Sequence, residues 1–344
     1  MAILTRAQYR PTRFGLGFAA WLGLTLFFQL GCKSPPPTPT TQVPRPQHPD
    51  PAPAIARLMA ELQPKEPDAA AAASPRPSPA PLSARGCAAN QVPIPGGTFM
   101  MGEPSREITL SPYCIDKTEV TVAAFRACVR AHKCQPPSAT VDWKGIKPEE
   151  KAKWSQFCTW GQRGLDKHPI NCVDWNQATA YCESTGGRLP TGAEWEHAAR
   201  GDDGREYPWG NQPPDSSRLN ACGSECASMA KQRFDETWNS MYKGDDGWPA
   251  TAPVGSYPKG ASPFGVLDMA GNVWEWTADI FAEDGPDSVP RPQKPPSDAP
   301  PRALRGGGWN SNAPGRVQPA YPDGNEPGGR NLSLGFRCVR AAKM

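Results

Sequence analysis

The chain has 344 residues, 43 of them proline and 11 cysteine, with a formal net charge of +3. So small a charge excludes nucleic-acid binding by phosphate neutralisation, and proline this frequent and aperiodic excludes both a single compact helical domain and collagen. With hydrophobic residues at 38%, part of the chain has no core of its own.

Residues 1–32 read as an export signal. Arg6, Arg10 and Arg13 supply its positive end, and an uncharged run follows from Phe14 to Gly31. The run ends in Gln29-Leu30-Gly31-Cys32, which resembles a bacterial lipobox with Gln29 where leucine is usual. Cys32 is then the lipidation site, and the chain is expected to be an exported lipoprotein, periplasmic or outer-membrane-facing, of a bacterial cell envelope. An uncleaved anchor is the alternative, since such a run is just long enough to span a bilayer. One lipidated cysteine leaves an even ten, suited to disulfides in an oxidising compartment.

Residues 33–86 form a linker, interrupted by Pro35-Pro36-Pro37, Pro44-Arg45-Pro46 and Ser74-Pro75-Arg76-Pro77. This composition favours extended polyproline II structure and a semi-rigid stalk. From 87 to 344 tryptophan, glycine and cysteine concentrate, and the length suffices for one domain. Residues 135–167 and the proline-rich 283–302 read as surface insertions.

Within the domain, Thr98–Gly102 reads as a short strand. Thr121 caps a helix from Val122 to about Lys133, with Val122, Phe125 and Val129 on one face. A second helix begins at Asp174 or Trp175, aligns Ala178, Tyr181 and Cys182, and ends at Gly186-Gly187. Thr191-Gly192-Ala193-Glu194 is a capping box opening a third helix, which stops at Gly201. Beyond it, Gly and Pro leave room only for short strands and loops. The fold class is α+β with unusually little regular structure.

Several long blocks then carry a specific resemblance. They are Arg188-Leu189-Pro190-Thr191-Gly192-Ala193-Glu194-Trp195-Glu196, Tyr207-Pro208-Trp209-Gly210, Asp268-Met269-Ala270-Gly271-Asn272-Val273-Trp274-Glu275-Trp276, Arg305-Gly306-Gly307-Gly308-Trp309 and Gly335-Phe336-Arg337-Cys338. Upstream, Gly97–Gly102, Glu119-Val120-Thr121 and His168-Pro169-Ile170 fit as well. In this order they resemble the sulfatase-modifying-factor family, founded by the formylglycine-generating enzyme, over about 92–340. The resemblance implies a disulfide-stabilised C-type-lectin-like fold. Fold alone does not settle function.

The resemblance also implies an activity and shows where it is broken. The family enzyme oxidises a peptide cysteine to formylglycine with O₂ and a copper ion held by two cysteines. Their positions here are Ser311 and Arg316, and the serine near the oxygen site is Gly308. Neither a hydroxyl nor a guanidinium replaces a thiolate for Cu(I), so copper is not expected. Another branch holds non-haem iron by histidines. The four here, His48, His132, His168 and His197, show no ligand spacing. Ser311 lacks a nucleophile elbow and an identifiable base, which argues against a serine hydrolase.

Two calcium sites carry over from the family. Asn220, Ala221, Asp246 and Trp248 would form the first, the alanine and tryptophan through their carbonyls. Asp268, Gly271, Val273 and Glu275 would form the second, the middle two through carbonyls. Such oxygen sets suit calcium; the alternative is that Asp268 and Glu275 close a turn or pair with an arginine. A cleft would be lined by Trp274, Gly308, Trp309, Asn310, Ser311, Asn312 and Arg316, suited to a peptide, glycan or anionic group; for Trp274, packing is the competing account.

The family pairs Cys182 with Cys338. Close spacing suggests Cys128–Cys134, Cys158–Cys172 and Cys222–Cys226, leaving Cys87–Cys114, although spacing does not prove connectivity and Cys222 and Cys226 also have a metal-binding reading. The expectation is an envelope-anchored, calcium-stabilised binding module whose partner is a protein, peptide or glycan, in contact with the membrane through its lipid and with no nucleic acid. The alternatives are an oxidoreductase acting on a protein cysteine or small thiol with altered catalytic groups, and an accessory protein of an envelope modification system.

Overall fold

A computed structural model describes residues 86–281 and 300–342, all within the compact unit Pro75–Met344. The signal and most of the linker, and residues 283–299 of the second insertion, lie outside the described residues. Among the described residues no helix is long and apolar enough to cross a membrane.

Among the described residues, nine short strands and five α-helices alternate with long irregular connections. Strand β1 (Gln91–Ile94) pairs antiparallel with β4 (Tyr113–Asp116), and β4 with the last strand, β9 (Val339–Ala341). This three-stranded sheet ties the start of the domain to its end. Strands β2 (Gly97–Met101) and β3 (Arg106–Leu110) form a hairpin. The third sheet has the order β7 (Asp323–Asn325), β6 (Arg302–Arg305), β5 (Trp274–Ile280), β8 (Leu334–Gly335), with β5 and β8 parallel. Arg302 therefore opens a strand and is not part of a loop. It is 3% exposed, with its guanidinium 4.1 Å from the Trp175 ring centroid.

The helices start where side chains satisfy their first amides. Helix α1 (Val122–Arg130) has Thr121 accepting from the Ala124 amide. It ends before the expected Lys133, because the chain turns at His132, whose φ is 57°. Helix α3 (Trp175–Ser184) has a full capping box between Asp174 and Gln177. Helix α4 (Gly192–Arg200) has one between Thr191 and Glu194 and stops at Gly201, φ 65°. Helix α2 (Pro148–Ser155) lies within the first insertion and starts with proline, whose missing amide costs nothing at that position. Helix α5 (Ser224–Phe234) corrects the expectation of only strands and loops after Arg200.

The largest core lies under α1 and α3. Phe125 stacks on Tyr181, with ring centroids 5.4 Å apart, and Phe336 meets both edge-on. Trp276 closes this core from β5 and donates to the Val173 carbonyl. A second core forms around Trp195, Ile94, Ile115, Val266 and Val339. The ten domain cysteines pair as Cys87–Cys114, Cys128–Cys134, Cys158–Cys172, Cys182–Cys338 and Cys222–Cys226. Cys182–Cys338 spans 156 residues, a closure that stabilises by about 2–5 kcal/mol.

Candidate functional site

The stretch after β6 is shaped by glycine. Gly306 and Gly307 have φ of 95° and 74°, a region side chains rarely adopt. A Cβ on Gly307 would lie 2.7 Å from Val317 Cγ1 and 2.9 Å from the Arg316 carbonyl oxygen. The glycines thus fold residues 308–317 back on themselves.

Ser311 is consumed inside that loop. It is 3% exposed, its Oγ accepts from the Gly308 amide at 3.0 Å, and its carbonyl accepts from the Cys222 amide at 3.0 Å. Gly308 also lacks space: a Cβ there would stand 2.9 Å from Ser333 Cβ. Trp309 is fully buried, its ring 5.2 Å from that of Phe157 and its Nε1 donating to the Leu332 carbonyl. Trp309 therefore packs into the core and is not a cleft wall. Asn310 is half-buried, while Asn312 and Arg316 are exposed, Arg316 on the 3-10 turn Pro314–Val317. Trp274 is 7% exposed and its ring lies 6.2 Å from that of Tyr321, which reaches solvent. The accessible part of the expected cleft is Asn312 and Arg316. These residues do not fit a copper ion: the one buried hydroxyl closes a turn, and the other position is a cation.

Around the first expected calcium set, Asp246 is bonded to the backbone of Ala221 and Trp248. Asp246 Oδ2 accepts from the Tyr242 hydroxyl at 2.6 Å and from the Ala221 amide at 3.2 Å, and Oδ1 accepts from the Trp248 amide at 3.0 Å. Burial pushes the Asp246 carboxyl up to about 6. Asn220 Nδ2 donates to the Ala250 carbonyl, while its Oδ1 is buried without a hydrogen-bond partner. Asn220 Oδ1 is thus left without a donor, and the set it belongs to, with the half-buried Asp246 carboxylate and two backbone carbonyls, has the all-oxygen chemistry that calcium takes.

The second set adjoins the first. Asn272, with φ 58°, accepts on Oδ1 from Asn220 Nδ2 and the Ala252 amide, and its own amide donates to the Asn220 carbonyl. Gly271 is required there, since a Cβ would lie 2.2 Å from the Asn220 oxygen. Glu275 is fully buried and paired in a fork with Arg337: Nε donates to Oε2 and Nη2 to Oε1, both at 2.7 Å. Trp195 Nε1 adds a bond to Oε2 at 2.8 Å. Asp268 Oδ2 accepts from the Gly255 amide at 2.6 Å. Glu119, given no role by sequence reasoning, sits beside Asp268; burial, and then each carboxyl's effect on the other, pushes the Glu119 carboxyl up. Its only sequence signal was membership of Glu119-Val120-Thr121.

Among the described residues no group of three or more His, Cys, Asp or Glu side chains is arranged to hold a metal ion. The described histidines are otherwise engaged or apart: His168 bonds Thr251, His197 bonds Asp202, and His132 turns the chain after α1.

The model of the sulfatase-modifying factor enzyme 1-like domain matches residues 78–342. The chain belongs to the sulfatase-modifying-factor family. It is 35% identical to a formylglycine-generating enzyme of Streptomyces coelicolor over 296 residues, covering 74% of this chain and 90% of that protein. It is 32% identical over 295 residues to the mouse protein named inactive C-alpha-formylglycine-generating enzyme 2, covering 73% of this chain and 85% of that one. Among solved structures, PvdO of Pseudomonas aeruginosa shares the fold with a TM-score of 0.51 at 24% identity, covering 73% of this chain and 94% of PvdO. This family member thus resembles both a relative named as the formylglycine-generating enzyme and one named inactive, and overall likeness does not separate the two.

Proposed function

We propose that this sulfatase-modifying-factor protein does not generate formylglycine and serves as a binding module for a peptide, protein or glycan at a bacterial envelope. One observation carries the reading: Gly308, Ser311 and Arg316 stand at the matched copper and oxygen positions, and Ser311 is spent on the Gly308 amide. The mouse relative named inactive is consistent with it. Calcium at the Asn220–Asp246 and Asp268–Glu275 sets would tie down loops and supply no redox chemistry. Anchoring through Cys32 would hold the domain off a membrane on its proline-rich stalk.

Asn312 and Arg316 form the exposed end of the binding surface in this reading. A guanidinium beside an amide suits a carboxylate or another anionic group. The test is site-specific cross-linking in envelope preparations. A photoreactive residue at Asn312 or Arg316 should capture a discrete adduct, and one at exposed Thr109 on β3 should not. Identical adducts at all three positions, or none at Asn312 and Arg316, would overturn the proposal.

A further inference from the structure

Three large apolar side chains are exposed among the described residues: Met100, Trp248 and Tyr321. Met100 stands on the β2–β3 hairpin, and Trp248 rests on His168, with ring centroids 5.2 Å apart. Tyr321 differs from both, because it follows closely on Arg316 in the chain. It is 36% exposed, and its ring lies 6.2 Å from that of Trp274 at an angle of 45°. Its hydroxyl has no hydrogen-bond partner among the described residues.

The backbone that carries both side chains is pinned. The Arg316 amide donates to the Ala313 carbonyl, the Gln318 amide to the Gly315 carbonyl and the Tyr321 amide to the Gln318 carbonyl, so turn follows turn. Between them Val317 is fully buried. Arg305, 2% exposed, donates from Nη1 to the Pro319 and Ala320 carbonyls at 3.2 and 3.1 Å. A buried cation thus ties down the stretch just before Tyr321. Exposed side chains on a backbone already fixed leave little ordering cost for a partner to meet. Tyrosine and arginine are also residue types that carry much of the energy of interfaces.

The two residues offer different chemistry. Arg316 is exposed and forms no ion pair with a described residue. Asp323, the acid nearest to it along the chain, is half-buried in β7 and accepts from the Gly324 amide. An open guanidinium takes a carboxylate. Tyr321 and the rim of Trp274 form an apolar corner, but Trp274 is only 7% exposed and shows no open face. A sugar ring stacks on an open aromatic face, whereas an apolar side chain needs only a corner. We propose that Tyr321 is the specificity-determining anchor of the binding surface, and that the partner is an acidic peptide segment. Its carboxylate meets Arg316, and a neighbouring aromatic or aliphatic side chain packs against Tyr321 and Trp274. This rests on the binding-module reading above and narrows its ligand to one class. The same guanidinium repels a basic segment.

The test is selection of random hexapeptides displayed on phage against the immobilised full chain, repeated with Tyr321→Ala, Tyr321→Phe and Arg316→Gln. The native chain is expected to enrich peptides with Asp or Glu close to an aromatic or large aliphatic residue. Arg316→Gln should lose the acidic bias and keep the apolar one. Tyr321→Ala should do the reverse and bind the selected peptides at least about tenfold more weakly by fluorescence anisotropy, the usual effect of removing an aromatic anchor. Tyr321→Phe keeps the ring and should select as the native chain does; a merely structural role would not separate the two biases. The same peptides from the native chain and Tyr321→Ala, or enrichment of basic peptides, would overturn the proposal while the binding-module reading stood. No enriched peptide, with binding of a uronate oligosaccharide instead, would overturn it and make the ligand a glycan. Binding of neither probe would overturn the proposal and the binding-module reading together.

Discussion

Gly308 sits in a turn that leaves no room for a side chain. The Ser333 Cβ lies 2.9 Å from where a Cβ on Gly308 would stand. Gly308→Ser should therefore overpack the loop and lower stability by about 1–3 kcal/mol, read from denaturant unfolding; an unchanged midpoint would mean that Ser333 yields freely. Tyr181 makes a separate prediction. Burial between Phe125 and Phe336 pushes its phenol up to about 12. The unfolded chain then loses this proton first, near pH 10, so stability falls as pH rises from about 10 to 12. Tyr181→Phe should flatten that part of the stability curve, and an equally steep loss would remove Tyr181 as its source. Ser311 and Arg316 were legible from register alone. The meeting of Glu119 with Asp268 was not, because the two lie far apart along the chain.

Elements were legible where local chemistry decides them. Thr191 with Glu194 marks the start of α4 within four residues, and Thr121 does the same for α1. Thr191→Ala should cost about 0.5–2 kcal/mol, the usual worth of an N-cap, and a loss outside that range in thermal unfolding would show that the Arg188–Glu194 pair shares the load. Helix α5 had no such signal. Its N-cap is Gly223 with no side-chain cap, and it buries only Cys226, Met229 and Ala230. The Cys222–Cys226 disulfide and the cover of Trp154 and Trp238 decide it from outside. Most strands are two to five residues long and pair with distant segments, as β4 does with β9, so no local alternation announces them.

At the scale of the whole molecule, the proline excess and the odd cysteine belong to different parts. All ten cysteines from 87 onward are paired, which leaves Cys32 as the residue that the lipoprotein reading requires. Cys32→Ala should abolish incorporation of labelled fatty acid and leave an unprocessed chain, and labelling that persists would exclude the lipobox. With every cysteine from 87 onward in a disulfide, no domain thiol remains for copper, and the proposed reading is a family scaffold that does not generate formylglycine. The most direct measurement is mass spectrometry of a Cys-x-Pro-x-Arg peptide incubated with the purified chain, copper and O₂, with the Streptomyces relative as positive control. The account predicts an unmodified cysteine; conversion to formylglycine in excess of a protein-free blank would contradict it.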